Sequence, residues 1–251
     1  MNQRRVRSAF LSYLCYNTAN GCSRSFTSGV ANALNVCIIA GSTRTNGPPR
    51  PILSNRVTSY IQSSVSNRPS QHSITTIQSR GNLPLLERPH FAYPKSQVPE
   101  ELSSIFETLT NADAYIIITP EYNHSPCPGL MNLMNHFGSS TFGFKPSAIV
   151  SYSAGQWGGT RAAHSLRPFL SELGCLPVSA MVHIPKVADV LGEDGNLMEG
   201  ASEERWSEYV ERMMNQLEWW GQAAKEHREV QDPFEKSPAF LANPSQRNAP
   251  N

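Results

Sequence analysis

A short apolar run followed by a polar loop constrains this chain more than any other stretch of its sequence. Residues 114–118 read Ala-Tyr-Ile-Ile-Ile, and Thr119 and Pro120 follow directly. An apolar, β-branched run of this length is typical of a strand buried on both faces, as in a parallel sheet. Because proline lacks an N–H for the sheet ladder and restricts the residue before it, we predict that the strand ends at Thr119. The polar residues that follow would lie at the carboxyl edge of the sheet, where ligands bind in open α/β folds.

The rest of the central region alternates between strand-like and helix-like patterns. Apolar residues recur at helical spacing in Val57, Ile61 and Val65, and Ser54 or Asn55 is expected to cap that helix. Five such strand–helix alternations predict an α/β fold with a five-stranded parallel sheet and helices on both faces. The strand-like runs lie at residues 34–40, 73–78, 114–119, 147–152 and 176–184.

The two ends of the chain differ in composition from this central region. Residues 1–33 are rich in Arg, Ser and Asn and contain no acidic residue, which indicates either an organelle transit peptide or a disordered extension. Residues 34–230 hold the predicted domain, and residues 231–251 have the polar, Pro- and Asn-rich composition of a disordered tail. We therefore expect a cytoplasmic protein, or a mitochondrial or plastid protein if the leader is a transit peptide.

The charge balance and the cysteines argue against several classes of protein. The formal net charge is +1, so neither nucleic acid nor an anionic membrane is an expected partner. We expect no membrane span, because no stretch is long and apolar enough. The five cysteines are widely spread and form no Cys-x-x-Cys pair, which argues against a disulfide framework and a metal site. Cys127 lies beside the polar loop and is either a packing residue or a reactive thiol.

The first of three polar loops, residues 41–44, has the chemistry of an anion site. Backbone N–H groups at a strand-to-helix turn attract anions. Ser42 adds a hydroxyl group, and Arg44 adds a planar fork that matches phosphate oxygens. The loop lacks both the Gly-x-Gly-x-x-Gly spacing and the Gly-Lys-Ser/Thr end of a P-loop, so it indicates a single phosphate. The alternative is a tight turn with a solvated arginine.

The second loop, residues 120–123, offers groups that suit a planar ring. Tyr122 could stack on such a ring, and Asn123 could hydrogen-bond its edge. Glu121 has no paired histidine or second carboxylate, so we do not expect it to act as a general base. His124 is either a proton donor or substrate contact, or an exposed loop histidine. A simple surface turn is the alternative for the whole loop.

The third loop, residues 153–159, reads Ser-Ala-Gly-Gln-Trp-Gly-Gly. Its glycines let the backbone approach a flat ligand closely and point several N–H groups at one place. Trp157 would either cover the ligand or pack at an interface. A merely flexible loop does not explain why this segment also follows a strand at the ligand edge.

In their order along the chain, the three loops resemble those of the NADPH-dependent FMN reductase family, which is flavodoxin-like and includes quinone and azo reductases. The resemblance spans roughly residues 36–184. It implies a three-layer flavodoxin-like sandwich, FMN as cofactor, NADPH or NADH as hydride donor and a small-molecule electron acceptor. It also implies a homodimer or a dimer of dimers. The matching motifs are Gly41-Ser-x-Arg44, Pro120-Glu-Tyr-Asn123 and Ser153-x-Gly155-x-x-Gly158-Gly159.

The resemblance also implies roles for residues of this chain. The first loop would hold the FMN phosphate, and the other two would flank the flavin ring. A proline-rich insertion at residues 46–51 lengthens the phosphate loop relative to many members, so the helix start is expected to supply further donors. No catalytic side chain is expected, because hydride chemistry belongs to FMN N5. The expected cofactor contacts are Ser42, Arg44, Ser54, Asn55, Pro120, Glu121, Tyr122, Asn123, Ser153, Gly155, Gly158 and Gly159.

Overall fold

A parallel β-sheet forms the middle layer of the fold. The computed structural model describes residues 33–50, 52–81 and 83–235 of the chain. Within them, five parallel strands follow the order β2-β1-β3-β5-β6, which is the flavodoxin-like order. These are β1 (Asn35–Ala40), β2 (Ser73–Gln78), β3 (Ala114–Tyr122), β5 (Lys145–Tyr152) and β6 (Cys175–Pro177), joined by the short β4 (Ser125–Pro126) and β7 (Val182–Ile184).

Helices cover both faces of this sheet. One face is packed by α1 and α7 together with α6, and the other by α2, α3, α4 and α5. The three layers and the parallel sheet confirm the predicted fold class. The described helices are α1 (Leu53–Ser66), α2 (Glu100–Asn111), α3 (Pro128–Asn135), α4 (Ser139–Phe142), α5 (Thr160–Glu172), α6 (Val187–Val190) and α7 (Glu203–Val230).

The apolar run in β3 is buried on both sides, as its composition predicts. Ile116 and Ile118 belong to the core under α1 and α7, whereas Tyr115 and Ile117 belong to the opposite core. All four side chains are fully buried. Each buried isoleucine contributes about 1.5–3 kcal/mol to folding, so the run fixes β3 in the middle of the sheet.

The fifth strand is broken, which the sequence did not predict. Residues 176–184 were expected to form one strand, but β6 pairs with the start of β5 and β7 pairs with its end. Pro177 has no N–H to continue the ladder. Beyond it, the Ala180 N–H donates to Gln216 Oε1 of α7 at 2.9 Å instead of to β5. A side chain of α7 therefore replaces β5 as the hydrogen-bond partner of the backbone where the strand is interrupted.

Two groups of charged side chains join α7 to segments that lead into the strands of the sheet. Glu218 accepts hydrogen bonds from Arg68 at 2.6 Å and from His72 Nε2 at 2.8 Å. The Leu34 N–H donates to His72 Nδ1 at 3.1 Å, so the proton of the neutral imidazole lies on Nε2. Nearer the end of α7, Asp113 pairs with both cationic side chains of that turn, Lys225 at 3.1 Å and Arg228 at 3.0 Å.

Several predictions fall outside the part of the chain that the structure describes. The leader apart from Ala33 and the tail beyond residue 235 are among them, and both stay predictions. Cys15 and Cys22 also lie there, while Cys37, Cys127 and Cys175 are buried free thiols. None of the described helices combines the length and apolar character needed to cross a bilayer.

Candidate functional site

The carboxyl ends of β1, β3 and β5 meet around a cavity of about 170 Å³. Three loops reach it, and they are the three that the sequence singled out. Seven predicted contacts line the cavity, namely Ser42, Arg44, Ser54, Pro120, Glu121, Tyr122 and Ser153. The lining is completed by Pro48, Pro49, Ile52, Leu53, Tyr152 and Ala154.

The first loop turns tightly as it leaves β1. The Gly41 N–H donates to the Ile118 carbonyl at 2.9 Å, and a Cβ at position 41 would lie 2.6 Å from Leu130 Cβ. Only glycine fits this approach between β1 and α3. Beyond it Ser42 is buried, its Oγ accepts the Arg44 N–H at 3.3 Å, and the Arg44 side chain is exposed.

Cys127 stabilises this turn through two hydrogen bonds. Its thiol donates to the Gly41 carbonyl at 3.0 Å, and its own N–H donates to Thr119 Oγ1 at 3.2 Å. Burial raises the pKa of the thiol and outweighs the hydrogen bonds that oppose the rise. A neutral buried thiol is a poor nucleophile, so the structure favours the packing role for Cys127.

Tyr152 is a site residue that the sequence did not identify. It is the last residue of β5, it is buried, and it lines the cavity together with Ser42 and Ser54. Burial raises the pKa of Tyr152 well above its usual range and outweighs the opposing effect of the Ser54 and Ser42 hydroxyl groups, so the phenol stays protonated. The available signal was its position, immediately before Ser153 at the edge where the other loops begin.

The start of α1 corrects one prediction. The helix begins at Leu53 with Ile52 at its N-cap, and no side chain caps it. Ser54 therefore lies in the first turn with its side chain buried beside Tyr152, and Asn55 follows it. Asn55 Oδ1 accepts a hydrogen bond from Arg80 at 3.1 Å. Neither residue is a cap, because the helix begins two or three residues earlier than expected.

The second loop is a β-hairpin, which corrects another prediction. Proline does not end the strand, since β3 continues to Tyr122 and pairs antiparallel with β4. Pro120 lies beyond Ile118, the last residue of β3 that pairs with β1, so its missing N–H costs no bond on that side. Asn123 and His124 have φ values of 50° and 66°. Two residues with positive φ form the type I′ connection that suits the twist of a hairpin.

The Glu121 carboxylate is held by α5. Its Oε2 accepts the Arg161 N–H at 3.1 Å, and its Oε1 forms an ion pair with the Arg161 guanidinium. Burial raises the pKa of Glu121, but the hydrogen bonds and charge of Arg161 outweigh it and leave the pKa below its ordinary value. The carboxylate thus stays ionised at a helix N-terminus, where it joins the hairpin to α5 and is not free to act as a base.

Replacing Glu121 with glutamine should therefore lower stability without abolishing chemistry. We expect the free energy of unfolding to fall by about 1 kcal/mol, a typical cost of losing a helix-capping contact. With the FMN and NADPH that the family resemblance implies, the rate of flavin reduction should change by no more than about twofold. Urea denaturation and stopped-flow absorbance measure the two quantities. A rate loss of about 100-fold would instead indicate general acid–base catalysis by Glu121.

The third loop lies against the end of β5. Gly158 and Gly159 have φ values of 60° and 78°, and a Cβ at Gly159 would lie 2.9 Å from both the N and the O of Tyr152. These positions need glycine for conformation and for space. The Ser153 hydroxyl donates to the Gly155 carbonyl at 2.8 Å, and Trp157 is 62% exposed.

Five predicted contacts are not part of the cavity lining. Two of them are buried, one is half-buried and two are exposed. The five residues, all within the described segments, are Asn55, Asn123, Gly155, Gly158 and Gly159. Their contact with a ligand that extends beyond the cavity stays a prediction.

A second cavity, of about 600 Å³, lies between α1 and α7. It is the larger of the two, but the strand ends do not reach it. Arg68, which lines it, is already paired with Glu218. We therefore assign the candidate site to the smaller cavity, where the three loops converge.

The residues around the smaller cavity fit a phosphate-bearing, flat ligand such as FMN. Its lining includes two buried hydroxyl groups and an exposed arginine, which is the donor set that phosphate prefers. It also includes the half-buried Tyr122 and residues 153 and 154 of the third loop, which suit an aromatic ring. The cavity is smaller than most small-molecule sites, so a bound FMN would also use the open edge of the sheet.

Comparisons with known proteins agree with this fit. The model of the NADPH-dependent FMN reductase family matches residues 34–189. The chain is 29% identical over 126 residues to an NAD(P)H-dependent FMN reductase of Pseudomonas aeruginosa, which covers 49% of the chain and 66% of that protein. It is 25% identical over 193 residues to a 2-hydroxy-1,4-benzoquinone reductase of Burkholderia sp., which covers 75% of the chain and 96% of that protein.

The fold is shared with solved flavoenzymes. The structure of an NAD(P)H:(acceptor) oxidoreductase from Paracoccus denitrificans superposes with a TM-score of 0.57 at 20% identity, over 74% of this chain and 98% of that one. That likeness concerns the fold alone, whereas the family model covers all three loops of the site. The chain therefore belongs to the NADPH-dependent FMN reductase family, with FMN as its cofactor and NAD(P)H as its hydride donor.

Proposed function

We propose that this protein is an FMN-dependent NAD(P)H oxidoreductase that reduces a quinone, an azo compound or a free flavin. The observation that carries the proposal is the convergence of three loops, all within the residues that the family model matches, on one cavity at the carboxyl edge of the sheet. One of the relatives named above is a 2-hydroxy-1,4-benzoquinone reductase, which supports an aromatic acceptor. The acceptor class is thus inferred from relatives, and the site itself from geometry.

Each part of the site has a separate task in this proposal. The Arg44 guanidinium and the hydroxyl groups of Ser42 and Ser54 bind the phosphate of FMN. Tyr122 and Pro120 form one wall for its ring, and the backbone of residues 153–159 lies at the ring edge. When bound, FMN takes a hydride from NAD(P)H and passes electrons to the acceptor.

The chain itself contributes position and electrostatics. Backbone N–H groups of the glycine-rich loop favour negative charge at the ring edge, which stabilises the reduced cofactor. The carboxylate of Glu121 is occupied by α5 and supplies no proton. His124 is exposed at the tip of the hairpin and is available to contact an acceptor. We expect donor and acceptor to use one site in turn, which gives ping-pong kinetics.

An absorbance spectrum before and after adding NADPH tests the proposal. The purified, FMN-loaded protein should show a flavin spectrum that bleaches with NADPH and returns when a benzoquinone is added. A flavin spectrum that does not bleach with NADPH or NADH would instead indicate an electron carrier without its own pyridine nucleotide turnover. A protein that neither carries nor quenches added FMN would be a flavin-free scaffold, and the proposal would be wrong.

Assembly and location complete the proposal. We expect a homodimer or a dimer of dimers, with Trp157 either at the interface or over the ligand, and multi-angle light scattering measures the mass that decides the first point. A monomer at micromolar concentration would contradict it. A cytoplasmic location, or an organellar one if residues 1–33 are a transit peptide, is tested by imaging the full-length chain with a C-terminal tag.

A further inference from the structure

A buried serine links the glycine-rich loop to the neighbouring strand. Ser151 lies in β5 and is fully buried. Its Oγ is 2.8 Å from the Gly158 carbonyl oxygen and 2.7 Å from His183 Nδ1. His183 lies opposite Ser151 in the register of β5 and β7. One hydroxyl group therefore joins a loop backbone to an imidazole.

The direction of the protons in this link follows from counting donors. The Ser151 hydroxyl has one proton, and the Gly158 carbonyl can only accept a hydrogen bond. If the hydroxyl donated to His183, the carbonyl would face the serine oxygen without a proton between them, and an unsatisfied buried acceptor is costly. Both contacts are satisfied only when His183 Nδ1–H donates to Ser151 Oγ and Ser151 donates to Gly158. The arrangement thus selects the Nδ1–H form of the ring.

The backbone around His183 is also held in place. The His183 N–H donates to the Tyr209 hydroxyl of α7 at 3.0 Å. A Cβ added to Gly158 would lie 3.2 Å from His183 Cβ and 3.1 Å from the Pro185 nitrogen. The loop therefore packs directly on the His183 Cβ and on the backbone at the end of β7.

Fixing one carbonyl fixes a whole peptide unit. The peptide between Gly158 and Gly159 is planar and trans, so its C=O and N–H point in opposite directions. Because Ser151 holds the Gly158 carbonyl towards itself, the Gly159 N–H points in the opposite direction, away from Ser151. Both glycines have positive φ, a conformation that glycine leaves easily when nothing restrains it.

We propose that His183 is a positioning residue for the flavin site, acting through Ser151 to orient the Gly158–Gly159 peptide in the loop at the ring edge. The proposal rests on the proposed function in one respect, that residues 153–159 face the flavin ring. It assigns no chemistry to His183, whose effect reaches the cofactor only through the loop backbone. The consequence is a loss of ring binding, and not of phosphate binding, when the link is cut.

Flavin affinity with and without the phosphate tests this assignment. His183→Leu removes the donor at similar volume, whereas His183→Asn keeps an N–H close to the position of Nδ1. Fluorescence quenching of FMN and of riboflavin gives both dissociation constants. We expect His183→Leu and Ser151→Ala to weaken both ligands alike, by about tenfold for one lost hydrogen bond. His183→Asn should remain within about threefold of the natural protein.

A matched control lies on the same strand. Ser147 is also fully buried in β5, but it lies at the end of the strand that pairs with β6, away from the loop. Ser147→Ala should leave both affinities unchanged. Unchanged affinities in His183→Leu and Ser151→Ala, or an equal loss in His183→Leu and His183→Asn, would overturn the proposal.

The ligand-free protein separates this proposal from the proposed function. In nuclear magnetic resonance spectra, the amide signals of Gly158 and Gly159 should shift in His183→Leu and Ser151→Ala and return towards their natural positions in His183→Asn. If the natural protein binds no flavin, the flavin function is lost while these signals still report on the link. Amide signals that do not move in either cut variant would overturn the link itself.

Discussion

Replacing Arg44 with alanine should weaken FMN binding by about 10- to 100-fold and leave riboflavin binding unchanged. Hydrogen bonds to charged groups contribute about 1.5–3 kcal/mol, and about 1.4 kcal/mol corresponds to a factor of ten. Arg44 is exposed at the mouth of the cavity and follows the buried Ser42. Among the described residues its guanidinium forms no ion pair, so its charge can reach a phosphate without breaking one. Riboflavin has no phosphate, so its affinity reports the ring contacts alone.

Fluorescence titration of the cofactor-free protein measures both affinities. Arg88→Ala is the matched control, because Arg88 lies over the Tyr93 ring at 5.2 Å and does not line the cavity. It should bind both flavins like the natural protein. An equal loss of FMN and riboflavin affinity in Arg44→Ala would mean that Arg44 supports the loop and does not contact phosphate. No loss at all would show that the phosphate binds elsewhere.

The layers of the fold follow from residue patterns alone, for a physical reason. Strands of a parallel sheet are buried on both faces, and Ile116, Ile117 and Ile118 are apolar because no position in residues 114–120 of β3 faces water. The helical spacing of Val57, Ile61 and Val65 similarly gives one buried face to α1. Local periodicity fixes these elements, so the sequence alone predicts them.

Contacts between distant segments account for what the sequence did not predict. The break between β6 and β7 depends on Gln216, which binds the Ala180 backbone from a helix 36 positions away. Tyr152 has no distinguishing pattern as the end of an apolar strand, and only its contact with Ser42 and Ser54 places it in the site. The extension of β3 past Pro120 likewise required knowing that β1 stops pairing at Ile118. Each of these outcomes depends on a neighbour that spacing within one segment does not reveal.

The seven predicted contacts that line the cavity share one property. They lie at or just beyond the carboxyl ends of β1, β3 and β5, or in the first turn of α1, where topology alone sets the position. Gly158 and Gly159 were predicted as direct contacts, but they lie buried against β5. Close packing and positive φ explain why both positions are glycine. Their role in cofactor binding stays a prediction.

Glu218→Gln should cause the largest loss of stability among the substitutions considered, about 3 kcal/mol. Both side chains of this pair are 16% exposed, so the value is placed at the lower end of the cost of removing one partner from a buried ion pair. The lower end applies because the glutamine carbonyl can still accept the His72 Nε2–H. Arg68, however, would lose the carboxylate that it contacts at 2.6 Å. Urea denaturation at neutral pH measures the loss.

Glu211→Gln is the matched control on the same helix. Glu211 also pairs with Arg68, but at 3.6 Å and with a side chain that is 54% exposed. Exposed pairs contribute little, so the free energy of unfolding should change by less than about 0.5 kcal/mol. Equal losses in the two variants would mean that net charge on α7, and not the buried contact, determines stability.

The contribution of Glu218 should also depend on pH in a direction that can be worked out. Burial alone would raise the pKa of Glu218, but the hydrogen bonds from His72 and Arg68 outweigh it and lower the pKa from 4.5 to about 2. Between these values the unfolded chain binds a proton that the folded chain does not, so stability falls as pH falls. The stability difference between the natural protein and Glu218→Gln should be constant above pH 4.5 and shrink as pH drops towards 2. A difference that stays constant down to pH 3 would show that the carboxylate is not stabilised by its partners, because about half of the stabilisation should be lost by then.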